Sequence, residues 1–226
     1  LLAQSTKPNN WNEWSGERLK QVERTHQFIT IEDEVYPETL RHVPTPPLVL
    51  FYKGDLALLK RKMLAVVGAR EATNYGYHVL QELMPEITKR GFTIVSGLAK
   101  GIDSFAHQFA ISNQGKTIGV VGTGLDICYP KNSGNLQIEM SQNHLVLSEY
   151  PNGTTPAKFH FPMRNRIIAG LSSGVLVVEA KKRSGSLITA QQALDYGKDV
   201  FVVPGSILDG RSSGCHQLIQ DGAICV

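Results

Sequence analysis

The sequence predicts an α/β fold: a doubly wound, mainly parallel sheet with helices on both faces. Short apolar strands alternate with helical stretches from residue 63 onward. These strands are apolar at every position, which is typical of a parallel sheet covered on both faces. Glycine-rich or basic turns follow the strands, at the edge where such a sheet binds its ligand. The 226 residues, 42% of them hydrophobic, are enough to bury a large core.

The N-terminal part of the chain has a different pattern. Residues 1–30 place Trp11 and Trp14 among polar residues at roughly helical spacing, which predicts a helical remnant or linker. We expect the main domain to comprise residues 31–226. Residues 28–62 are expected to add two strands to one edge of the sheet of this domain. These strands are Phe28–Ile31 and Leu48–Tyr52, separated by a proline-rich turn.

The alternation that starts at residue 63 predicts six further strands and five helices. The predicted strands are Met63–Val67, Thr93–Ser96, Thr117–Val121, Leu145–Ser148, Gly174–Glu179 and Val200–Val203. The predicted helices are Tyr75–Lys89, Asp103–Asn113, Asn135–Ser141, Arg166–Leu171 and Leu187–Tyr196. The segment from Gly214 to Val226 predicts a short helix followed by an apolar terminal strand.

Composition narrows the class of protein. The net charge of +3 is only mildly basic and does not by itself indicate a nucleic-acid ligand. The positions of the charged residues are needed to predict what the protein binds. No apolar run reaches the roughly 18 residues that span a membrane. The cysteines Cys128, Cys215 and Cys225 lack CxxC spacing, which is typical of reduced thiols in a cytoplasmic protein. The histidines show no metal-ligand spacing, and no metal site is expected.

The turns that follow the strands contain the residues best suited to bind a ligand. Gly68-Ala69-Arg70 follows the first strand of the alternation, and residues 96–103 follow the second with two glycines and Lys100. Residues 122–131 and 179–186 follow later strands, and Ser184-Gly185-Ser186 presents N–H groups and hydroxyls at a helix N-terminus. Because all these turns fall on one edge of the sheet, they predict a long anion lying across it.

A dinucleotide cofactor is not expected. Gly122-x-Gly124 is followed by Ile127, where the dinucleotide motif needs a third glycine. The second strand ends at Ser96 and not at the Asp or Glu that would hold a ribose hydroxyl. We therefore predict no cofactor, and no catalytic constellation is evident.

A cluster from Lys158 to Gly170 interleaves basic and aromatic residues. Arginine grips phosphate, and aromatic faces stack on unpaired bases. Alternatively, the phenylalanines belong to the core and the arginines form structural ion pairs. Arg166 opens the predicted helix and has Glu179 as one candidate partner. Glu149 and Glu179 lie at strand ends, where they either act as acids or pair with nearby basic residues.

These motifs resemble those of the DNA-processing protein A family (DprA, also called Smf). The resemblance runs from about residue 33 to the end. It implies an extended Rossmann fold that binds and protects single-stranded DNA, forms a homodimer and loads a RecA-type recombinase during natural transformation. The motifs are Val66–Arg70, Val95–Asp103, Gly122–Asp126, Phe161–Gly170, Arg183–Ala190 and Pro204–Ser206.

The resemblance also implies site residues. Arg70 and Lys131 would contact phosphates, three glycines would allow the DNA to approach the backbone, and Arg164 and Asn165 would add polar contacts. The DNA-binding candidates are Gly68, Arg70, Gly97, Lys100, Gly101, Lys131, Phe159, Arg164, Asn165, Arg166, Ser184, Gly185 and Ser186. The implied dimer residues are His216, Leu218, Ile219 and Cys225, and those implied for the recombinase are Leu194 and Asp199.

Two other classes of protein remain open at this point. A nucleotide-processing enzyme similar to the lysine-decarboxylase-like phosphoribohydrolases would share the sheet, but it needs a glutamate soon after a glycine-rich turn. Here no carboxylate follows Ser184-Gly185-Ser186 until Asp195. A purely structural dimer module would leave the basic strand ends unexplained.

Overall fold

The computed structural model describes residues 24–226, so the helical remnant expected around Trp11 and Trp14 lies outside the described residues. The strands of the described chain are β1 (Phe28–Thr30), β2 (Val49–Gly54), β3 (Met63–Gly68), β4 (Thr93–Ser96), β5 (Lys116–Val121), β6 (Leu145–Ser148), β7 (Gly174–Val178), β8 (Asp199–Val202) and β9 (Ile224–Cys225). The α-helices after β1 are α1 (Glu38–Arg41), α2 (Asn74–Lys89), α3 (Ile102–Ser112), α4 (Gly134–Asn143), α5 (His160–Leu171), α6 (Gly185–Asp195) and α7 (Ser213–Gln220).

These strands form one nine-stranded sheet in the order β1-β2-β6-β5-β4-β3-β7-β8-β9. Strands β3 to β9 run parallel, and only the pairs β1–β2 and β2–β6 are antiparallel. The predicted doubly wound, mainly parallel sheet is confirmed. The chain winds outward from β3 through β4, β5 and β6, and then returns to the other side of β3 with β7. This reversal opens a crevice between β3 and β7 at the carboxyl ends of the strands.

The expected edge extension is also confirmed. Strand β2 pairs with β6, with Phe51 opposite Ser148, and β1 closes that edge of the sheet. Helix α1 packs on α5, and its buried Leu40 shares a hydrophobic cluster with Ile167 and Leu171. The extension is therefore part of the main core.

Alternate residues of each central strand enter the cores on opposite faces of the sheet. In β7, Val175 and Val177 pack with helices α5, α6 and α7, whereas Leu176 and Val178 pack with α2 and α3. Helix α4 covers the second face near β5 and β6. This two-sided burial explains why the strands are apolar at every position. Within residues 24–226, no helix combines the length and apolarity that crossing a membrane requires.

Most predicted boundaries differ from the structure by no more than two residues, but one differs by more. The helix expected at Arg166–Leu171 begins six residues earlier, at His160. Pro162 lies in the first turn of this helix, where a proline replaces an N–H that has no intrahelical acceptor and so does not prevent the helix from starting at His160. Most of the basic and aromatic cluster is therefore helical. The positions of Arg164 and Arg166 around helix α5 determine where their side chains point.

Candidate nucleic-acid interface

A cleft of about 700 Å³ lies at the carboxyl edge of the sheet, in the crevice between β3 and β7. The turn Gly68–Arg70 forms one side, the first turn of α6 forms the other, and helix α5 crosses between them. A smaller cavity of about 180 Å³ continues past the turn after β4, where it reaches Gly97 and Lys100. The structure thus brings most of the basic and glycine-rich turns together at one edge.

A ridge of stacked side chains separates the two cavities and lines both. The guanidinium carbon of Arg70 lies 5.6 Å from the ring centroid of Phe161. The ring of Tyr129 lies on the same phenylalanine, with the centroids 5.5 Å apart and the planes tilted by 33°. Arg70 and Tyr129 are exposed, so the ridge offers both a cation and an aromatic face to the solvent.

Arg164 forms the floor beneath the ridge. Only 5% of this residue is exposed, although it lines both cavities. Its Nη1 donates to the carbonyl of Val120 at 2.7 Å, and its Nε has no hydrogen-bond partner among the described residues. Gly97 lies against the guanidinium, and a Cβ there would overlap it. The missing side chain at Gly97 therefore makes room for the arginine.

Asp103 lies near this floor, in the first turn of α3. Burial raises the pKa of its carboxyl, while the charge of Arg164 and nearby donors, including the amides of Gly97 and Ala99, oppose the rise. Burial likewise lowers the pKa of Arg164, and Asp103 opposes that shift. Gly101, at φ 81°, turns the chain into α3 and packs on the backbone of Ala69 and Arg70. The turns after β3 and β4 are therefore held together beneath the cleft.

The N-terminus of α6 faces the same cleft. No side chain caps it, and Ser184 and Ser186 instead join their hydroxyls at 2.9 Å. Asn165 of α5 donates from Nδ2 to the carbonyl of Gly185 at 3.1 Å, which fixes the first turn of α6 against α5. The expectation that this turn presents N–H groups and hydroxyls to the cleft agrees with the structure.

Exposed cations surround the larger cavity. Arg70, Lys158, Lys181 and Arg211 line it and are exposed, as is Lys100 at the smaller cavity. No carboxylate of residues 24–226 lies within 4.0 Å of any of these five cations. Their charge is therefore available to an anionic ligand. Among the described residues, no group of three or more His, Cys, Asp or Glu is arranged to hold a metal ion.

Arg166 has a different position from Arg164. It is buried, pairs with Glu149 and donates from Nη1 to the carbonyl of Thr45. Glu179, the partner considered from the sequence, is not the one used. Arg166 lines neither cavity and instead ties α5 to β6 and to the extension. For Glu149, ion pairing with a nearby basic residue is confirmed.

Glu179 has no ion-pair partner within the described chain. It is buried at the end of β7 with a positive φ of 53°, and it accepts hydrogen bonds from the amide and hydroxyl of Thr73. Thr73 in turn caps α2, because its hydroxyl accepts from the amide of Tyr75. Glu179 therefore joins the carboxyl end of β7 to the N-terminus of α2.

Three DNA-binding candidates remain, and they differ in their position relative to the cavities. Gly68 lines the larger cavity. Lys131 is exposed and follows Tyr129 and Pro130, which line the smaller one. Phe159 is 54% exposed but lines neither cavity. The candidate set omitted several cleft residues that only the folded arrangement brings into position. These are Tyr129, Lys158, Phe161, Lys181 and Arg211.

The residues implied for assembly lie away from the cleft, near the β9 edge of the sheet. Leu218 is buried in the protomer's own core, whereas Ile219 is only partly buried. The Nε2 of His216 lies 3.0 Å from the carbonyl of Gly205. Cys225 is exposed on the edge strand β9. Leu194 and Asp199 are exposed at the end of α6 and the start of β8.

Comparison with known proteins gives consistent results. The family model described as DNA recombination-mediator protein A matches residues 27–226. The chain is 55% identical over 195 residues to DNA processing protein DprA of Streptococcus pneumoniae, covering 86% of this chain and 69% of the relative. It is 44% identical over 202 residues to Protein Smf of Escherichia coli, covering 89% of this chain and 54% of the relative. The chain thus spans between about half and about two thirds of the length of these relatives.

Two solved structures are similar to the whole described fold. The X-ray structure of DprA from Streptococcus pneumoniae aligns with a TM-score of 0.91 at 51% identity, over 94% of this chain and 75% of that one. A DNA processing protein A from Helicobacter pylori, described for its unique single-stranded DNA binding mode, aligns with a TM-score of 0.79 at 33% identity, over 89% of this chain and 91% of that one.

Proposed function

Because this chain belongs to the DNA recombination-mediator protein A family, we propose that it binds single-stranded DNA in the cleft and acts in DNA processing during natural transformation. One observation carries the proposal. An exposed arginine, Arg70, lies 5.6 Å from the ring of Phe161 at the edge where the basic turns meet. This arrangement puts a phosphate-binding charge beside an aromatic face.

The exposed cations and the aromatic rings have separate roles in this proposal. Arg70, Lys100, Lys131 and Lys158 attract and hold the phosphates, and binding releases the counterions that surround the strand. The aromatic rings of the ridge, Tyr129 and Phe161, stack on bases. Base stacking on aromatic side chains contributes roughly 1–3 kcal/mol per base and requires bases that are not paired. The proposed site therefore favours a single strand over a duplex.

The floor supports the ridge instead of reading the sequence of the DNA. Arg164 adds positive charge from below, and Asn165 holds the first turn of α6 in place. Arg166 acts through the position of α5, because its own guanidinium is engaged with Glu149 and Thr45. Arg164 therefore contributes charge to the cleft, whereas Asn165 and Arg166 act as positioning residues.

We infer that the protein is a binding protein and not an enzyme. A phosphoribohydrolase-like reaction would need a carboxylate soon after the glycine-rich turn, and residues 185–194 contain none. Both oxygens of the cleft carboxylate Glu179 accept hydrogen bonds from Thr73, which gives that carboxylate a structural role.

We also propose that the protein works in the cytoplasm as a homodimer and loads a RecA-type recombinase onto the bound strand. Residues 31–226 would form the DNA-binding domain. The dimer contact is proposed at α7 and β9, where Ile219 is partly exposed and Ile224 and Cys225 are exposed. The recombinase contact is proposed near Leu194, which is 43% exposed, and Asp199.

A titration tests the DNA-binding proposal. Labelled oligo-dT, a duplex of the same length and a nucleoside monophosphate are titrated at two salt concentrations. We expect the single strand to bind more tightly than the duplex and to lose affinity as salt rises. Equal affinity for duplex, or a flat salt response, would contradict the proposal.

A further inference from the structure

Glu179 is a buried acid in the wall of a cleft whose rim carries exposed cations. Only 3% of this residue is exposed, yet it lines both the larger cavity and a neighbouring cavity of about 390 Å³. A carboxylate beside a phosphate opposes its binding. The backbone of Glu179 is also unfavourable, because its φ of 53° lies in the left-handed region, which other residues than glycine seldom adopt. An acid kept at this position therefore needs a role other than contact with DNA.

Both oxygens of this carboxylate are used by one residue. Oε2 accepts from the amide of Thr73 at 2.9 Å, and Oε1 accepts from the hydroxyl of Thr73 at 2.6 Å. Gly76, in the first turn of α2, makes room for the carboxylate, because a Cβ there would overlap Oε2. The side chain of Glu179 is therefore fixed on a single point, the residue that caps α2.

Thr73 also ends the turn that carries Arg70. At the other end of this turn, the first amide of α3 donates to the carbonyl of Ala69 at 3.1 Å. Between these two points, residues 70–72 form no backbone-to-backbone hydrogen bond within the described chain. The turn is therefore held at its two ends, by α3 at one and by Glu179 at the other, with Arg70 between them.

We propose that Glu179 is a positioning residue for DNA binding, which fixes Arg70 at the cleft through its two hydrogen bonds to Thr73. Strand β7, which is buried along its whole length, supplies the rigid support for this contact. The guanidinium of Arg70 then lies on the ring of Phe161, with its charge exposed to the strand. This inference rests on the proposed function and deepens it, because it adds a residue that acts on the DNA only through another side chain.

The variant Glu179→Gln separates this role from two others. It keeps the size of the side chain, but the amide group has one acceptor oxygen where the carboxylate has two, so one bond to Thr73 is lost. An acid that merely borders the phosphates would repel them, and its neutralisation would tighten binding. An acid that only stabilises the fold would leave binding by the folded protein unchanged. A positioning role predicts the opposite of the first result, namely weaker binding.

The experiment titrates labelled oligo-dT with each variant at four salt concentrations, and urea unfolding shows that the variant is folded under these conditions. We expect Glu179→Gln to lower the affinity by about three- to tenfold, the effect of one hydrogen bond, and to reduce the salt slope. In an Arg70→Ala background the same change should cause no further loss, because the side chain that Glu179 positions is absent. Glu86→Gln is the matched control. It removes the same charge from an exposed ion pair in the last turn of α2 and should bind normally.

Two substitutions of Thr73 test the contact from its other side, whether or not Glu179→Gln folds. Thr73→Val removes the hydroxyl while keeping the branched shape, and it should weaken binding in the same way. Thr73→Ser keeps the hydroxyl and should retain most of the affinity.

The outcomes distinguish this inference from the proposed function. If folded Glu179→Gln binds as tightly as the wild-type chain, or more tightly, the inference is wrong while DNA binding stands. A loss that adds in full to that of Arg70→Ala also overturns it, because the carboxylate then acts through another residue. Equal weakening by Thr73→Ser and Thr73→Val overturns it as well. A wild-type chain that binds no oligo-dT refutes the proposed function, and this inference with it.

Discussion

Replacing Arg70 by alanine should weaken binding of single-stranded DNA strongly while leaving the fold intact. The side chain is exposed, lines both cavities and has no carboxylate within 4.0 Å in the described chain. Within residues 24–226, its guanidinium packs on the ring of Phe161. Losing an exposed cation–π contact costs about 0.5–1 kcal/mol, so the free energy of unfolding should fall by no more than about that amount.

The effect on binding should be larger than the effect on stability. Removing one charge-assisted hydrogen bond to a phosphate costs about 1.5–3 kcal/mol, which corresponds to a loss of affinity of roughly 10- to 150-fold. Losing one phosphate contact should also reduce the slope of log K against log salt by about 0.7 for a single strand. Arg70→Lys keeps the charge and should restore the slope but only part of the affinity, since lysine lacks the planar guanidinium.

The assay is fluorescence anisotropy of labelled oligo-dT at four salt concentrations, with urea unfolding measured on the same variants. Arg61→Ala is the matched control, because Arg61 is also exposed and lies just before β3, at the opposite end of the strand that Arg70 follows. Arg61→Ala should bind DNA normally. If Arg70→Ala keeps both affinity and slope while folded, or if Arg61→Ala loses as much, the assignment of the cleft is wrong.

Three further predictions test stacking, assembly and pH dependence. Phe161→Leu should lower the affinity for oligo-dT by about 1–3 kcal/mol without changing the salt slope, since it removes a stacking face and no charge; a changed slope would argue against stacking. Ile219→Glu should give a folded monomer by light scattering that binds long strands less tightly, and a variant that stays dimeric would place the interface elsewhere. Burial lowers the pKa of His107 from 6.5 to about 3. The unfolded chain therefore takes up a proton that the folded chain does not, and the free energy of unfolding should fall as pH drops from about 6.5 toward 3. Urea unfolding at pH 7 and pH 5 should show this fall and a weaker one in His107→Gln, and an equal fall in both would assign the effect to other groups.

The sheet and its functional edge could be predicted from the sequence because their signals are local. Apolar runs that end in glycine or basic turns define both the strands and the side on which they end, and the bounds of β4 and β6 match the prediction residue for residue. The turns Gly68–Arg70 and 184–186 then had to share one edge, since all parallel strands end there.

The directions of the α5 arginines could not be predicted in the same way. Arg164 and Arg166 are two residues apart on one helix, and both are buried with a backbone carbonyl as acceptor, that of Val120 and that of Thr45. These acceptors lie 44 and 121 residues away in the chain. A buried charge is tolerated only where such groups converge, and that convergence exists only after the sheet and the extension have assembled.

The ridge was missed for a related reason. Phe161 belonged to a cluster in which core and DNA-stacking roles were both open, and nothing in the local sequence joined it to Tyr129 or Arg70. The three side chains come from the turn after β3, the loop after β5 and the first turn of α5. The predicted strand ends include the backbone turns of this site. They do not include Phe161, whose side chain reaches the site from helix α5.

The anchoring of Arg166 sets a lower limit on the size of a working fragment. A chain trimmed to begin at residue 63 would retain every residue that lines the cleft. It would nevertheless lose the Thr45 carbonyl that holds Arg166 and the Leu40 side chain that packs beneath α5. The arginine of the cleft floor, one half-turn earlier on the same helix, would then sit on a helix that has lost part of its support. The smallest piece expected to fold and bind DNA therefore includes residues 28–62, although none of them touches the cleft.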